Sequence, residues 1–306
     1  MIKIYQKKIG DNKINELSEF KAGSWIFAKE ASEEDILSLE EKYKLDRNIL
    51  TDALDTYEVP RIEKDEDIVY IFMRVPQKAE GKTITKPLLI AIGPNFILTF
   101  SKSDEPILNR FIEGGINFIT TQKTQLVLKI LSEIMKNYNF FLTGINKDVK
   151  ESSGKFNKIN EKVIINFVEF EEILNDFLLG LSYASPALQG LLAGKLVKLH
   201  EDDKELTEDI ILSTNQLIEL SKSTLKSIVN IREAYSTIMT NDLNRVIKLF
   251  TSLTVILTIP TIIASLYGMN VVLPFGANPY GFWFVIGSIV ILISLTFYIF
   301  NRNRWL

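Results

Sequence analysis

The chain has 306 residues, and its 73 Asp, Glu, Lys and Arg side chains make up 24% of them, the proportion of an ordinary soluble protein. Their distribution excludes that class: from Leu249 to Asn301 no side chain ionises except tyrosine, 71 of the 73 charges precede this run and two follow it, and 53 residues without charge exceed any buried core helix. With no cysteine and a single histidine, His200, there is no basis for disulfides, thiolate metal sites, Cys nucleophiles or His-rich clusters, and the mildly negative first 248 residues offer no basic patch for nucleic acid.

Met1 to Asp11 holds three lysines in its first eight residues but no apolar stretch long enough for a signal peptide, so the large N-terminal portion is expected in the cytoplasm. The first hundred residues read as mixed α/β. Ser24 to Lys29 and Ile68 to Val75 are β-branched and aromatic runs, and Leu88 to Ile92 and Phe96 to Phe100 flank a Gly93-Pro94-Asn95 turn. Gly81-Lys82-Thr83 hints at a phosphate loop, but the position five before Gly81 is Pro76 rather than glycine, and a hairpin turn is expected. Ser32, followed by Glu33, Glu34 and Asp35, predicts a helix up to about Tyr43; Asp46 opens a second ending near Leu54, and Pro106 to Ile112 a third.

After Gln122 the pattern becomes long helix. Leu126, Val127, Ile130, Leu131, Ile134 and Met135 recur at three and four residues, and the pattern continues through Ser152, Ser153 and Gly154 towards Leu181. Pro186, Gly190 and Gly194 predict a break or hairpin before His200, itself expected in a solvated connector beside Glu201, Asp202 and Asp203. Between Leu196 and Tyr267 there is no glycine and one proline, Pro260, so a helix starting near Thr207 has some 60 residues and a length on the order of 90 Å. Its first two thirds are amphipathic and its last third is apolar, as for a helix that leaves a cytosolic domain and enters a bilayer.

Two spans are expected, Leu249 to Tyr267 and Phe282 to Phe300, each close to the roughly 20 residues that cross the hydrocarbon. Arg245 and Lys248 before the first, and Arg302 and Arg304 after the second, place both flanks and both termini on the cytoplasmic side of the cell inner membrane, with Gly268 to Gly281 outside. Tyr280, Trp283 and Trp305 stand where interfacial anchors belong. Thr251, Thr254, Thr258, Thr261 and Ser265 are spaced 3, 4, 3 and 4, and the same step reaches back to Ile247 and Asn244 and forward to Gly268. One or two hydroxyls in a membrane helix bond their own backbone or a neighbouring helix; five on one seam are better matched to a water-filled lumen. A single stripe cannot enclose a channel, so a cyclic homo-oligomer is expected, with the first span inside and the second, holding only Ser288, Ser294 and Thr296, towards lipid.

Tyr267-Gly268-Met269-Asn270, closing the first of two C-terminal spans, resembles the signature of the CorA family of divalent-cation (magnesium) transporters. Ala234 to Thr237 and Asn241 to Val246 resemble the family's stalk helix, Asn301 to Leu306 its basic terminus, and Val59-Pro60-Arg61-Ile62-Glu63 with Val69-Tyr70-Ile71-Phe72 its N-terminal domain. The resemblance implies an α+β membrane protein assembled as a funnel-shaped homopentamer. Its parts are a cytosolic α/β domain (1–122), a helical hairpin region (123–206), a stalk helix (207–267) containing the first transmembrane helix (249–267), an extracytoplasmic loop (268–281), a second transmembrane helix (282–301) and a basic tail (302–306). It also implies a selectivity ring of Tyr267, Gly268, Met269 and Asn270, a polar ring at Asn244 and a hydrophobic constriction at Ile247, with Thr251, Thr254, Thr258, Thr261 and Ser265 lining the pore. Neutral amide oxygens can accept hydrogen bonds from the water shell that Mg²⁺ gives up reluctantly.

Regulatory divalent ions in the family bind between neighbouring cytosolic domains, and the matching positions here are Asp52 and Asp209, with Glu233 at a further acidic ring position. Two departures stand out. Thr51 occupies a place where the family often has another acid, and Val271 to Tyr280 contains none, which weakens cation attraction at the mouth and leaves Mg²⁺, Co²⁺, Ni²⁺ and Zn²⁺ open as cargo. The expected function is a passive divalent-cation channel driven inward by membrane potential, at about 2.3 kcal/mol per charge per 100 mV. A proton-coupled zinc transporter of the same superfamily and a membrane-anchored signalling or enzymatic protein are the alternatives.

Overall fold

The computed structural model describes residues 1–79, 81–153, 161–194, 196–271, 274, 279–303 and 305. It divides into Met1–Asn230 and Ile231–Leu306. The first unit is organised by a seven-stranded sheet in the order β2-β1-β3-β7-β6-β5-β4. In chain order the strands are β1 Ile2–Gln6, β2 Asn15–Leu17, β3 Ser24–Ala28, β4 Arg61–Asp65, β5 Ile68–Ala79, β6 Lys82–Ile92 and β7 Phe96–Phe100. All pairings are antiparallel except β3 with β7.

Three strands escape the sequence reading, and their composition explains it. β2 (Asn-Glu-Leu) and β4 (Arg-Ile-Glu-Lys-Asp) are the two edges of the sheet, where short length and charge discourage pairing with a further strand and also erase the apolar signature. β1, Ile-Lys-Ile-Tyr-Gln, does alternate, but it is short and lies among the three lysines of the first eight residues, which mask its apolar signature. β5 and β6 are longer than expected because prolines lie inside them. Pro76 faces Thr85 and Pro87 faces Arg74, both beyond the point where the outer neighbours β4 and β7 stop pairing, which is at Phe72 and Leu89. A proline is tolerated there because no further ladder needs its N–H. Gly81, at φ +82°, precedes Lys82, which pairs with Ala79, so this segment is the expected hairpin turn.

The sheet buries both faces. On one, Ile26, Tyr70, Phe72, Leu89, Leu98 and Phe100 pack with Ile36, Leu39 and Leu50 of two short helices, α1 (Glu33–Tyr43) and α2 (Arg47–Asp52). Each fully buried side chain of this size contributes roughly 1.5–3 kcal/mol. Ser32 and Asp35 close a reciprocal cap on α1, Lys44 ends it in the left-handed region, and the Asp46 carboxylate accepts from the Asn48 and Ile49 amides to start α2. On the other face Trp25 meets Phe111 and Phe118 edge-on, and its indole N–H donates to Thr99 Oγ1 at 2.9 Å. Phe111 belongs to α3 (Pro106–Ile112).

The long helical pattern after Gln122 resolves into two elements, α4 (Lys123–Ser153) and α5 (Glu161–Leu192), rather than one pattern continuing to Leu181; Gly154 lies outside the described residues. They pack together through Tyr138 and Phe177, whose rings meet at 5.0 Å and 82°. Of the three positions expected to mark a break before His200, Pro186 and Gly190 sit inside α5, and the break falls at Gly194, just past the helix end at Leu192, where a φ of +70° lets its N–H reach the Leu191 carbonyl. The helix expected from Thr207 begins earlier, as α6 (Glu201–Tyr267), because the Asp203 carboxylate reaches back to the His200 amide at 3.1 Å and three acids fill the first turn. In the second unit, α6 continues from Ile231 to Tyr267 and α7 runs Gly281–Arg302; both are long and apolar enough to cross a membrane.

Candidate functional site

The hydroxyl stripe on α6 is real in structure and specific in chemistry. Thr251, Thr254, Thr258 and Thr261 donate to the carbonyls of Ile247, Phe250, Thr254 and Leu257 at 2.8, 2.9, 2.7 and 3.1 Å, and all four, with Ser265, are exposed. Each hydroxyl proton is therefore spent on the backbone one turn back, and what faces outward is an oxygen with acceptor capacity. Metal-bound water is a donor, so such a surface suits a hydrated cation. Ser252 differs: it is fully buried, and with the half-buried Ile256, Ile259, Pro260 and Ile263 it marks the face α6 covers within its own unit. At 100° per residue that face lies roughly 160° from the stripe. Asn244 and Ile247 are also exposed. On α7, Val285, Ser288, Ile289, Ile293, Thr296 and Phe300 are half-buried while the rest of its wall is exposed hydrocarbon.

At the end of α6 the Gly268 amide bonds the Ala264 carbonyl at 2.9 Å and the Met269 amide bonds Leu266 at 3.3 Å. A Cβ on Gly268 would stand 3.3 Å from the Ala264 oxygen, tighter than a side chain normally accepts, which favours glycine here. Tyr267 Oη approaches the Pro274 carbonyl at 3.5 Å, and Met269 and Asn270 are exposed. Arg304 and Leu306 of the tail lie outside the described residues, as do 272–273 and 275–278 of the loop; Trp305 stacks on Phe300 at 5.5 Å.

The three acidic positions are not drawn into one cluster. Among the described residues no group of three or more His, Asp or Glu side chains converges on a point. Asp52, half exposed at the end of α2, is bound by Arg61 Nη2 at 2.8 Å. The same guanidinium pairs with Glu58 and with Glu63 at 3.2 Å, and lies 3.9 Å from the centre of the Phe72 ring. Asp209 lines a cavity of about 410 Å³ between α4 and α6, with Lys136 in the same wall. Glu233, in the second unit, is exposed.

The sequence reading missed the buried polar centre of the first unit. Arg74 donates from Nε to Thr85 Oγ1 (2.7 Å), from Nη2 to the Thr85 carbonyl (2.9 Å) and from Nη1 to the carbonyls of Thr56 (2.9 Å) and Glu58 (3.0 Å). Asp176 of α5 accepts from the Thr85 amide and hydroxyl at 2.9 and 2.7 Å and faces Arg74 at 3.5 Å. The Tyr138 hydroxyl donates to the Arg74 carbonyl at 3.1 Å, and burial pushes this phenol up from its ordinary range. Gly180 makes the approach of α5 feasible, since a Cβ there would sit 2.7 Å from Tyr138 Oη. Burial likewise pushes the Glu105 carboxyl up to about 8, against the opposing hydrogen bonds from Ser101 and Ser103. An arginine in an otherwise apolar strand, as in Phe72-Met73-Arg74-Val75, was the available signal.

The family described as CorA-like Mg²⁺ transporter protein matches residues 20–302. The chain is 28% identical over 293 residues to the cobalt/magnesium transport protein CorA of Methanocaldococcus jannaschii, covering 92% of this chain and 91% of that one. The complete structure of the CorA magnesium transporter from the same organism superposes with a TM-score of 0.87 at 26% identity, over 100% of this chain and 99% of the other. The cytoplasmic domain of ZntB from Vibrio parahaemolyticus shares the fold at a TM-score of 0.63 and 11% identity, over 78% of this chain and 98% of that domain. With two membrane-length helices closing on Tyr267-Gly268-Met269-Asn270 and a profile match over nearly its whole length, the chain belongs to the CorA-like Mg²⁺ transporter family: it is a membrane transporter of divalent cations and not an enzyme.

Proposed function

We propose that the chain forms a homopentameric channel that carries Mg²⁺, and also Co²⁺, into the cytoplasm, with both termini on the cytoplasmic side of the cell inner membrane. The observation that carries this reading is the acceptor stripe of α6, exposed and turned away from the face the helix covers within its own unit. Around a fivefold axis such stripes would form a wet lumen from Asn244 and Ile247 to Gly268, and the Asn270 amides would meet the hydrated ion at the outer end. Tyr267 and Met269 would support that ring. Replacing Asn270 with alanine in liposomes loaded with a Mg²⁺ indicator is expected to lower uptake at least tenfold, on the scale of about 1.4 kcal/mol for losing one set of water-accepting contacts; unchanged uptake removes the selectivity ring.

Gating by internal divalent ion is the second part of the proposal, with Asp52 and Asp209 as ligands between protomers and Glu233 as a further ring. Bound ion draws protomers together and closes the channel; its loss leaves like charges to repel. Arg61 adds a condition, because a divalent ion arriving at Asp52 competes with a guanidinium already in place. The absence of acid from Val271 to Tyr280 supports a second reading, Zn²⁺ carriage by proton coupling, which dependence of metal uptake on a pH gradient would select.

A further inference from the structure

We propose that a cleft beside the tip of the β5–β6 hairpin binds a small aromatic phosphate, of the class of a nucleoside monophosphate with an amino-bearing base. The cleft is about 410 Å³, within the size of small-molecule sites, and is walled by β5, α3 and α4. Three cations stand in its wall, Lys78, Arg110 and Lys136, and no carboxylate does. The nearest acid with a defined role is Glu133, only 7% exposed, which holds Arg110 Nη1 at 2.8 Å and Lys136 Nζ at 2.7 Å. One carboxylate thus orients two cations whose other donors remain free for an anion, and Lys78 makes no ion pair among the described residues.

The remainder of the wall specifies a flat body rather than a bare ion. Phe140 is 71% exposed, leaving a ring face open at the cleft, and it meets Phe141 at 5.5 Å. Gln77 Nε2 donates to Ser103 Oγ and Asn137 Nδ2 to the Pro76 carbonyl, which leaves both amide oxygens as acceptors for an exocyclic amine. Base stacking on an exposed ring contributes about 1–3 kcal/mol. Lys136 also lines the cavity that holds Asp209. An anion that draws the Lys136 ammonium towards Arg110 leaves the cavity wall around Asp209 less positive and more attractive to a divalent ion; this consequence rests on the gating proposal, whereas the binding does not.

The test is equilibrium dialysis of radiolabelled AMP against the full-length protein in lipid nanodiscs. Saturable binding is expected, weakened about tenfold by Phe140→Ala and by Lys136→Gln, with thermal unfolding little changed because both side chains are exposed and Glu133 keeps Arg110 as its partner. If either variant proves unstable, Lys78→Gln replaces it. Competition by inorganic phosphate as strong as by AMP overturns the aromatic body, equal competition by adenosine overturns the anion, and preference for dodecanoate overturns both. Absence of binding, or wild-type affinity in all variants, overturns the site.

Discussion

Residues 1–230 join polar groups across strands and helices distant in sequence, whereas the threonines of residues 231–306 donate to the backbone of their own helix. Arg74 reaches Thr56, Glu58, Thr85 and Asp176. Thr258 reaches only Thr254, one turn away. The first pattern ties sheet and helices of the unit together through buried polar contacts. The second leaves a wall of exposed hydrocarbon and a row of exposed hydroxyl oxygens, surfaces suited to lipid and to water.

The contrast sets the order of expected effects. Replacing Arg74 with methionine leaves the partly exposed Asp176 without its cation and removes donors from several buried carbonyls, at a cost of about 3 kcal/mol to the first unit, read by thermal unfolding. A loss below ~1 kcal/mol would mean that the network is ornamental and the apolar core sufficient.

Glu105 gives a pH-dependent version of the same point. Its carboxyl is raised by burial from 4.5 to about 8, so between those values the folded chain keeps a proton that the unfolded chain has released. Stability contributed by this group is full below about pH 4.5 and falls as pH rises towards about 8, by a few kcal/mol in total. Glu105→Gln should flatten that slope; an identical pH profile in variant and parent would show that the carboxyl is ionised throughout.

Arg61→Gln tests the regulatory half. Freed of its resident cation, Asp52 should bind divalent ion more tightly, and the internal Mg²⁺ that halves uptake should fall severalfold, while Asp52→Ala with Asp209→Ala should raise it. No shift in either variant separates these carboxylates from gating. The smallest energetic effect is expected in the second unit: Thr258→Val costs less than ~1 kcal/mol, because the hydroxyl only bonds its own helix, yet should lower ion uptake.

How much of this was legible in the sequence follows from where each signal resides. The two membrane helices, the stripe and the Gly268-Met269-Asn270 turn are periodic or local features, and they stand where periodicity puts them. α1, α2 and α3 carry their caps beside them in the chain. The edge strands β2 and β4 were invisible because being an edge is a property of the sheet, and charge at such positions looks like loop. Of the three positions that mark the break before His200, Gly194 stands at it, whereas Pro186 is absorbed into α5, because a proline near a helix end is tolerated when packing holds the helix, as Ser185 does by donating to Asn215 at 2.9 Å. The pairing of Asp52 with Arg61 joins positions nine apart through the entry to β4, and Arg74 with Asp176 joins positions about a hundred apart; neither has a spacing that a single chain reading could detect.

The central claim is that the α6 hydroxyl face meets water along an ion path. The protein has no cysteine, so single substitutions give a clean background for a charged, membrane-impermeant thiol reagent. In proteoliposomes, Thr254→Cys, Thr258→Cys and Thr261→Cys should each react and lose Mg²⁺ uptake on reaction, while Leu292→Cys on the exposed apolar wall of α7 should not react. Unreactive cysteines at all three stripe positions, or equal reactivity at Leu292, would contradict the account.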